Sequence, residues 1–283
     1  MAADGEIRLV FKLELYLMWL LRSHCSMLTL TPQHVSFLNE RLARLAPPKI
    51  IEWALTTLPG LYQTTAFGLT GLVITHMISE LLEASGLDGV PLIFIDTLHH
   101  FPETLELVNR VRARYGVEIH TFRPSGTETK EEFVHTHGEK LWERDESAYD
   151  YLVKVEPAQR AYTTLNANAV FTGRRRSQKG ARETIPIIEI DSTGLIKINP
   201  LADWTFSQVE GFVRANNVPY NPLLDLGYLS IGDTHSTLPA KDRNDERSGR
   251  WAGQAKTECG LHKDYFKMRE SHLNSVTAST PSA

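Results

Sequence analysis

Leu61-Tyr62-Gln63-Thr64-Thr65-Ala66-Phe67-Gly68-Leu69-Thr70-Gly71-Leu72 is the stretch whose reading decides the fold. Leu61 to Ala66 reads as a strand, Phe67 to Gly71 as a glycine-bearing turn, and Leu72 to Ala84 as an apolar helix. The alternation continues downstream. Pro91 to Ile95 is a buried strand, a helix opens at Pro102 and runs to Tyr115, and Val117 to Phe122 is a third strand. Strand and helix in turn imply βαβ units, hence a parallel sheet with right-handed crossovers. The expected fold is α/β, a parallel twisted sheet flanked by helices. Ligands of such sheets bind at the carboxyl ends of the strands. Thr64–Gly71, Asp96–Phe101 and Gly173–Arg182 all fall at such ends and are expected to converge.

Outward from this core, Thr31 to Ala46 and Ile50 to Leu58 carry helical spacing, split by Pro47-Pro48. Two or three charged helices fill 128 to 166, and Ala169 to Thr172 is a strand. Ile185 to Ile190 and Leu195 to Ile198 read as a hairpin around Ser192-Thr193-Gly194, and Phe206 to Ala215 as a helix. Residues 1–30 read as an N-terminal extension and 31–240 as a nucleotide-binding domain. Residues 241–270 read as a mobile segment, because Lys241 to Arg250 is charged and nearly free of large apolar residues. The Ser/Thr-rich residues 271–283 are expected to be a disordered tail.

The chain has 283 residues, 42% of them apolar, and a net charge of -4, which gives no bulk electrostatic case for nucleic acid or membrane. Leu9 to Leu21 is apolar but broken by Lys12 and Glu14, too short for the roughly 20 residues of a span, and it lacks the marks of a secretory signal. Two cysteines, Cys25 and Cys259, and no C-x-x-C cannot make a disulfide framework. They suit a reducing compartment such as the cytoplasm. Nothing polar or basic surrounds Cys25, which reads as structural or incidental.

Five constellations carry chemistry. The turn at 64–71 offers backbone N–H groups at a helix start and the hydroxyls of Thr64, Thr65 and Thr70, as an anion site or a plain βα turn would. Gly173-Arg174-Arg175-Arg176-Ser177-Gln178-Lys179-Gly180-Ala181-Arg182 sets five cations in ten residues after an apolar strand. Arginine binds phosphate or sulfate bidentately, so a polyanionic small molecule is favoured over nucleic acid or a purely structural loop. Asp96-Thr97-Leu98-His99-His100-Phe101 pairs two histidines, but adjacent residues rarely share one metal ion. A carboxylate and hydroxyl reading a ribose or base fit that strand end better. Gly227 to Ser236 is polar and glycine-rich, as a binding loop or an ordinary surface loop would be. Cys259, in Glu258-Cys259-Gly260-Leu261-His262, has Lys256, His262 and Lys263 nearby, which favour a thiolate; the alternative is an inert thiol.

At these residues the chain resembles the phosphoadenylyl-sulfate (PAPS) reductases of sulfate assimilation, particularly the fungal type. The resemblance runs from about Ile50 to Met268. It is carried by Thr65 to Gly71, Phe94 to Pro102, Lys154-Val155-Glu156-Pro157, Gly173 to Gln178, Gly232 to Ser236 and Glu258 to His262, in family order. It implies a fold like that of the adenine nucleotide α-hydrolases, the PP-loop fold. ATP-splitting members carry a Ser-Gly-Gly-x-Asp-Ser loop; the aspartate is missing here, which weakens an ATP-dependent, magnesium-requiring reading. Related APS reductases carry further cysteines that hold a [4Fe–4S] cluster. One thiol cannot fill four ligand positions, so the resemblance implies PAPS as substrate, with no iron–sulfur cluster and no metal.

The resemblance further implies that Cys259 attacks the sulfur of PAPS, that adenosine 3′,5′-bisphosphate leaves, and that reduced thioredoxin releases sulfite from an S-sulfocysteine. Arg175, Arg176 and Arg182 match family positions for the phosphates, with Gln178 and Lys179 assisting. Asp96, Thr97 and the turn residues Thr64, Thr65, Phe67, Gly68, Leu69 and Thr70 are expected to hold adenosine and phosphate. His262 is expected to orient the attack or favour the thiolate, and Arg247 and Arg250 to close over the phosphates with Cys259. The family is commonly homodimeric.

Overall fold

Six strands form one sheet in the computed structural model of the chain, which describes residues 30–86, 89–251, 256 and 258–278. They are β1 (Leu61–Thr65), β2 (Leu92–Ile95), β3 (Ile119–Phe122), β4 (Ala169–Phe171), β5 (Ile188–Ile190) and β6 (Ile196–Ile198), in the order β3-β2-β1-β4-β6-β5. All pairings are parallel except the β5–β6 hairpin at the edge. Strands β2, β4 and β6 are buried along their whole length, the pattern of a parallel sheet covered on both faces. The N-terminal stretch with Cys25 and residues 279–283 lie outside the described residues. No helix among the described residues is long and apolar enough to cross a membrane.

The chain divides into two units, Met1–Phe37 and Leu38–Ala283. In the first, the described residues open helix α1 (Pro32–Leu42), where the Thr31 hydroxyl accepts from the His34 N–H at 3.3 Å. The remaining helices belong to the second unit: α2 (Pro47–Thr57), α3 (Leu69–Ser85), α4 (Pro102–Tyr115), α5 (Lys130–His137), α6 (Leu141–Arg144), α7 (Glu146–Asp150), α8 (Glu156–Thr164), α9 (Phe206–Ala215) and α10 (Tyr265–Ala278). Pro47 and Pro102 each sit in a first turn, where the missing N–H costs nothing. Capping boxes at Thr129–Glu132 and Thr205–Gln208 start α5 and α9. Ile93 and Ile95 of β2 pack on Ala158 and Ala161 of α8. Phe94, pointing the other way, meets Phe67 edge-on at 5.2 Å.

Several boundaries differ from expectation (α2 begins at Pro47, not Ile50, and β3 at Ile119, not Val117), and two of the differences matter most. Helix α3 begins at Leu69, not Leu72, so the turn is only Ala66-Phe67-Gly68. Gly71, a poor helix former, sits in the first turn because a Cβ there would lie 2.9 Å from Thr65 Oγ1. Buried Gln63 ties strand to helix, donating to the Gly71 carbonyl at 2.8 Å and accepting from the Thr75 hydroxyl at 3.2 Å. The second difference is at the C-terminus, where residues 271–278, expected in a disordered tail, continue helix α10. Its His272 ring stacks on Tyr151 at 4.7 Å, a packing contact that composition does not register.

The topology fixes where a ligand fits. From β1 the chain steps to β2 and β3 on one side, then returns to place β4 on the other. The sheet order therefore reverses between β1 and β4, and the crevice beyond their carboxyl ends is the binding position of such a fold.

Behind the crevice, His99 meets Phe133, Trp142, Tyr149 and His235 edge-on, and His235 stacks on Trp142 at 4.0 Å. Burial pushes the His235 pKa down to about 4, with Lys154 adding to the effect and Asp233 opposing it; burial likewise lowers His99. The unfolded chain binds the His235 proton near pH 6.5 and the folded chain only near 4, so stability falls as pH drops through that window. Thermal unfolding should show a midpoint declining from pH 6.5 towards 4, and His235→Gln should flatten that slope. An unchanged slope would exclude the assignment.

Candidate active site

A cavity of about 230 Å³ opens at this crevice. One wall is the β1–α3 turn. Phe67 holds a left-handed backbone (φ 55°) that a non-glycine residue adopts only under constraint, and the Thr65 hydroxyl fixes it by accepting from the Phe67 N–H at 2.9 Å. No side chain caps α3, so its first-turn N–H groups remain available to an anion. The Thr64 hydroxyl meets the Tyr162 hydroxyl at 3.1 Å. The opposite wall follows β4. A Cβ on Gly173 would lie 3.1 Å from the Gly71 backbone nitrogen, so the two loops approach at glycine on both sides.

Lys154, Arg174, Arg175, Arg182, Lys197, Arg247 and Arg250 all line the cavity, against two lining carboxylates, Asp233 and Glu246. Arg175 is 1% exposed. It donates to Thr70 Oγ1 at 2.9 Å, Ser177 Oγ at 2.6 Å, the Trp204 carbonyl at 3.1 Å and Glu246 Oε1 at 2.7 Å. Arg182 donates to Gln178 Oε1 at 2.6 Å and forms a bidentate pair with Glu258 at 2.6 and 2.8 Å. Arg247 stands 3.6 Å from the same carboxylate. Arg174 pairs with Glu189, and Lys197 with Asp191 at 2.9 Å. Arg250 has no ion-pair partner among the described residues and lies 4.5 Å over the Trp251 ring, which Arg247 and Lys256 also cover at 5.3 and 5.5 Å.

Cys259 lines the same cavity, half-buried, at the start of a 3₁₀ turn over Gly260–His262. A buried carboxylate fastens both of its flanks. Asp150, 1% exposed, accepts from Lys256 Nζ at 2.6 Å and from the Gly260 N–H at 3.1 Å. It also accepts from Lys154 Nζ at 3.0 Å, and Lys154 reaches across to Asp233 at 2.8 Å. Asp233 takes a further donor, the Thr97 hydroxyl, at 2.6 Å. Despite their burial, both carboxyls are held below the usual range by Lys154, with Lys256 also acting on Asp150. Lys154 rides on a π-helical turn, Tyr151–Val155, an element that places side chains where an α-helix would not. Lys154, Arg247 and Arg250 line the same cavity as Cys259. At His262, burial first, then Arg174, Arg182, Lys197 and Arg247, push the pKa well below the ordinary value. It stands as a neutral imidazole whose Nδ1 has no hydrogen-bond partner among the described residues.

Of the residues singled out in the sequence, Thr64, Thr65, Phe67, Gly68, Leu69, Thr70, Thr97, Arg175, Gln178, Arg182, Arg247, Arg250, Cys259 and His262 meet in this cavity. Three do not line it. Asp96 is turned to structure, accepting from the Leu98 N–H at 3.0 Å and Arg123 Nε at 2.9 Å. Arg176 opens a 3₁₀ turn over Arg176–Gln178 that carries its side chain to the Ile185 carbonyl and Asp203 instead. Lys179 is exposed on a left-handed residue (φ 61°). The histidine pair splits likewise: His99 enters the aromatic box and His100 lines the cavity. Among the described residues no group of three or more His, Cys, Asp or Glu is placed to hold a metal ion. The loop from Tyr228 to Asp233 is a cavity wall, which decides between binding loop and plain surface loop. Sequence reading passed over Asp150, Glu246 and Trp251 and gave no roles to Lys154, Asp233 or Glu258. The last three stood within recognised motifs, which was the only available signal.

Comparison with known proteins agrees with this geometry. The family model for the phosphoadenosine phosphosulfate reductase domain matches residues 60–239. The phosphoadenosine phosphosulfate reductase of Emericella nidulans is 60% identical over 241 residues, covering 85% of this chain and 78% of that one. The Saccharomyces cerevisiae enzyme is 54% identical, covering 82% and 91%. The crystal structure of the Candida auris PAPS reductase, a phosphate complex, superposes with a TM-score of 0.69 at 53% identity, covering 75% of this chain and all of that one. Candida glabrata FMN adenylyltransferase, 16% identical with a TM-score of 0.51, shares the fold alone. Crevice, cation-lined cavity and matched sequence together establish that the chain belongs to the phosphoadenosine phosphosulfate reductase family, a family of oxidoreductases of sulfate assimilation.

Proposed function

We propose that the chain reduces 3′-phosphoadenylyl sulfate to sulfite and adenosine 3′,5′-bisphosphate with thioredoxin as donor, through an S-sulfocysteine at Cys259. The observation that carries this reading is one cavity in which the Cys259 thiol, a free helix N-terminus and seven cations face each other. In the first step the thiolate bonds to the sulfate sulfur and the S–O bond to the 5′-phosphate breaks, the electron pair leaving with adenosine 3′,5′-bisphosphate. In the second, a thioredoxin thiolate bonds to Cys259 Sγ and sulfite departs with the S–S electron pair. The second thioredoxin thiol then frees Cys259. Cys259 is the only described cysteine, so an external dithiol closes the cycle. The same reading sets the reaction in a reducing compartment, on the route to cysteine and methionine, and is compatible with a homodimer.

The residues divide the work by charge. Lys154, Arg247 and Arg250 line the cavity with Cys259 and stabilise the negative charge that builds on the bridging oxygen. His262, kept neutral by burial and the surrounding cations, lines the cavity with Cys259 and orients the attack. The α3 N-terminus, Thr70, Arg175 and Arg182 hold phosphate. Asp150 fixes the register of Cys259, and Gly260 leaves no space for variation: a Cβ would stand 2.8 Å from Asp150 Cβ and 3.2 Å from Val155 Cγ2.

Cys259→Ser should still bind adenosine 3′,5′-bisphosphate but lose sulfite formation by at least ~10³-fold. Retained turnover rules out the covalent route. Enzyme incubated with PAPS and no thioredoxin should gain one sulfonate by intact mass spectrometry, and the same enzyme offered APS should release far less sulfite. Gly260→Ala should be destabilised by about 1–3 kcal/mol from overpacking. Its turnover should fall more than its nucleotide affinity; equal losses in both would remove the positioning role.

A further inference from the structure

We propose that Glu246 and Glu258 are internal stand-ins for the substrate's anionic groups, each holding a guanidinium of the cavity until the nucleotide displaces it, and that Glu258 thereby acts as a positioning residue for Cys259. This rests on the reading of the cavity as a polyanion site.

The carboxylates that meet these cations are of two kinds. Some are built into the framework. Glu189 lies in the β5–β6 ladder, and Asp191 accepts from the Thr193 N–H, the Thr193 hydroxyl and the Leu195 N–H. Glu246 and Glu258 are of the other kind. Their only hydrogen-bond donors among the described residues are Arg175 and Arg182. Glu246 lies in the loop that the Thr237–Arg250 bridge closes and Glu258 lies beyond it, both outside the six-stranded sheet.

The guanidinium groups, in contrast, stay where they are without these partners. Thr70, Ser177 and the Trp204 carbonyl retain Arg175, and Gln178 retains Arg182. A phosphate presents the same paired oxygens as a carboxylate but carries up to two charges and a third oxygen. Exchange therefore leaves each arginine paired while the displaced carboxylate passes to water. Unpaired, the buried arginines would bear a large desolvation cost, which is why the ligand-free molecule supplies acids of its own.

Glu258 is bonded directly to Cys259, so its release from Arg182, and from Arg247 at 3.6 Å, frees one side of the nucleophile. The other side remains fixed, because the Gly260 N–H stays on Asp150. The motion available is a pivot about Gly260 that swings the sulfur while its base stays in register. Binding of the nucleotide and aiming of the thiol become one event.

Calorimetric titration with adenosine 3′,5′-bisphosphate tests this on the full chain. Glu246→Gln and Glu258→Gln should each bind at least ~10-fold more tightly than the unmodified protein, about 1.4 kcal/mol. Equal or weaker binding by both variants, with normal binding by the unmodified protein, overturns the stand-in role and leaves the proposed reaction untouched. Absence of binding by all three overturns both. Should either variant fold poorly, inorganic phosphate provides the second measurement: it should raise the unfolding midpoint of Glu246→Gln more than that of the unmodified protein, and an equal rise overturns the proposal. Glu258→Gln should lower kcat for sulfite release while Glu246→Gln changes chiefly KM. The same kcat loss in both would remove the link to Cys259.

Discussion

Positive charges crowded at one edge of a sheet repel one another, and most of the C-terminal third of this molecule is arranged around that repulsion. Burying an unpaired cation costs several kcal/mol even after relaxation, so most are given a counter-charge, Arg250 over the Trp251 ring excepted. The counter-charges come from separate elements: Asp150 ends α7, Glu189 lies in β5, Asp233 follows the 3₁₀ turn at Pro222–Leu226, and Glu246 and Glu258 belong to the closing segment. Lys154 shows the economy of the scheme, since one ammonium joins two carboxylates that belong to different parts of the chain. A cysteine set among these groups lies in a positive field.

The sheet and the convergence of its loops were legible because they rest on local rules. Alternating strand and helix patterns imply parallel order, and parallel order sends the strand ends to one edge. The turn at Thr64–Gly71, the arginine loop and the closing cysteine could therefore be brought together from sequence. Pairing was not legible. Arg175 meets Glu246 at a separation of 71 residues and Arg182 meets Glu258 at 76, and no periodicity encodes which acid reaches which base. The same gap explains Asp96. A strand-end aspartate beside a threonine looks like a ribose ligand, yet Arg123 from the next strand end claims it. Only side-chain direction separates Arg175 inside from Arg176 outside.

Backbone strain marks the cavity as clearly as charge does. Phe67, Lys179 and Trp251 all hold left-handed conformations, and each lies in a segment that forms or adjoins a wall. Such residues persist where the surroundings over-determine them. For Phe67 the determinants are visible: a hydroxyl from Thr65 on its N–H and the edge of Phe94 against its ring. The price of this strain is met by packing and sets the direction in which the first turn of α3 points.

Trp251 gives the molecule an optical gauge. Its indole is buried, and three cations from the closing segment lie within 5.5 Å of the ring centre. Indole emission responds to the local electric field, and here the field is set by side chains that also face the ligand space. Any anion that draws Arg247 or Arg250 towards itself changes the light this residue emits. The state of the cavity is thus written into the protein's own fluorescence, with no label attached.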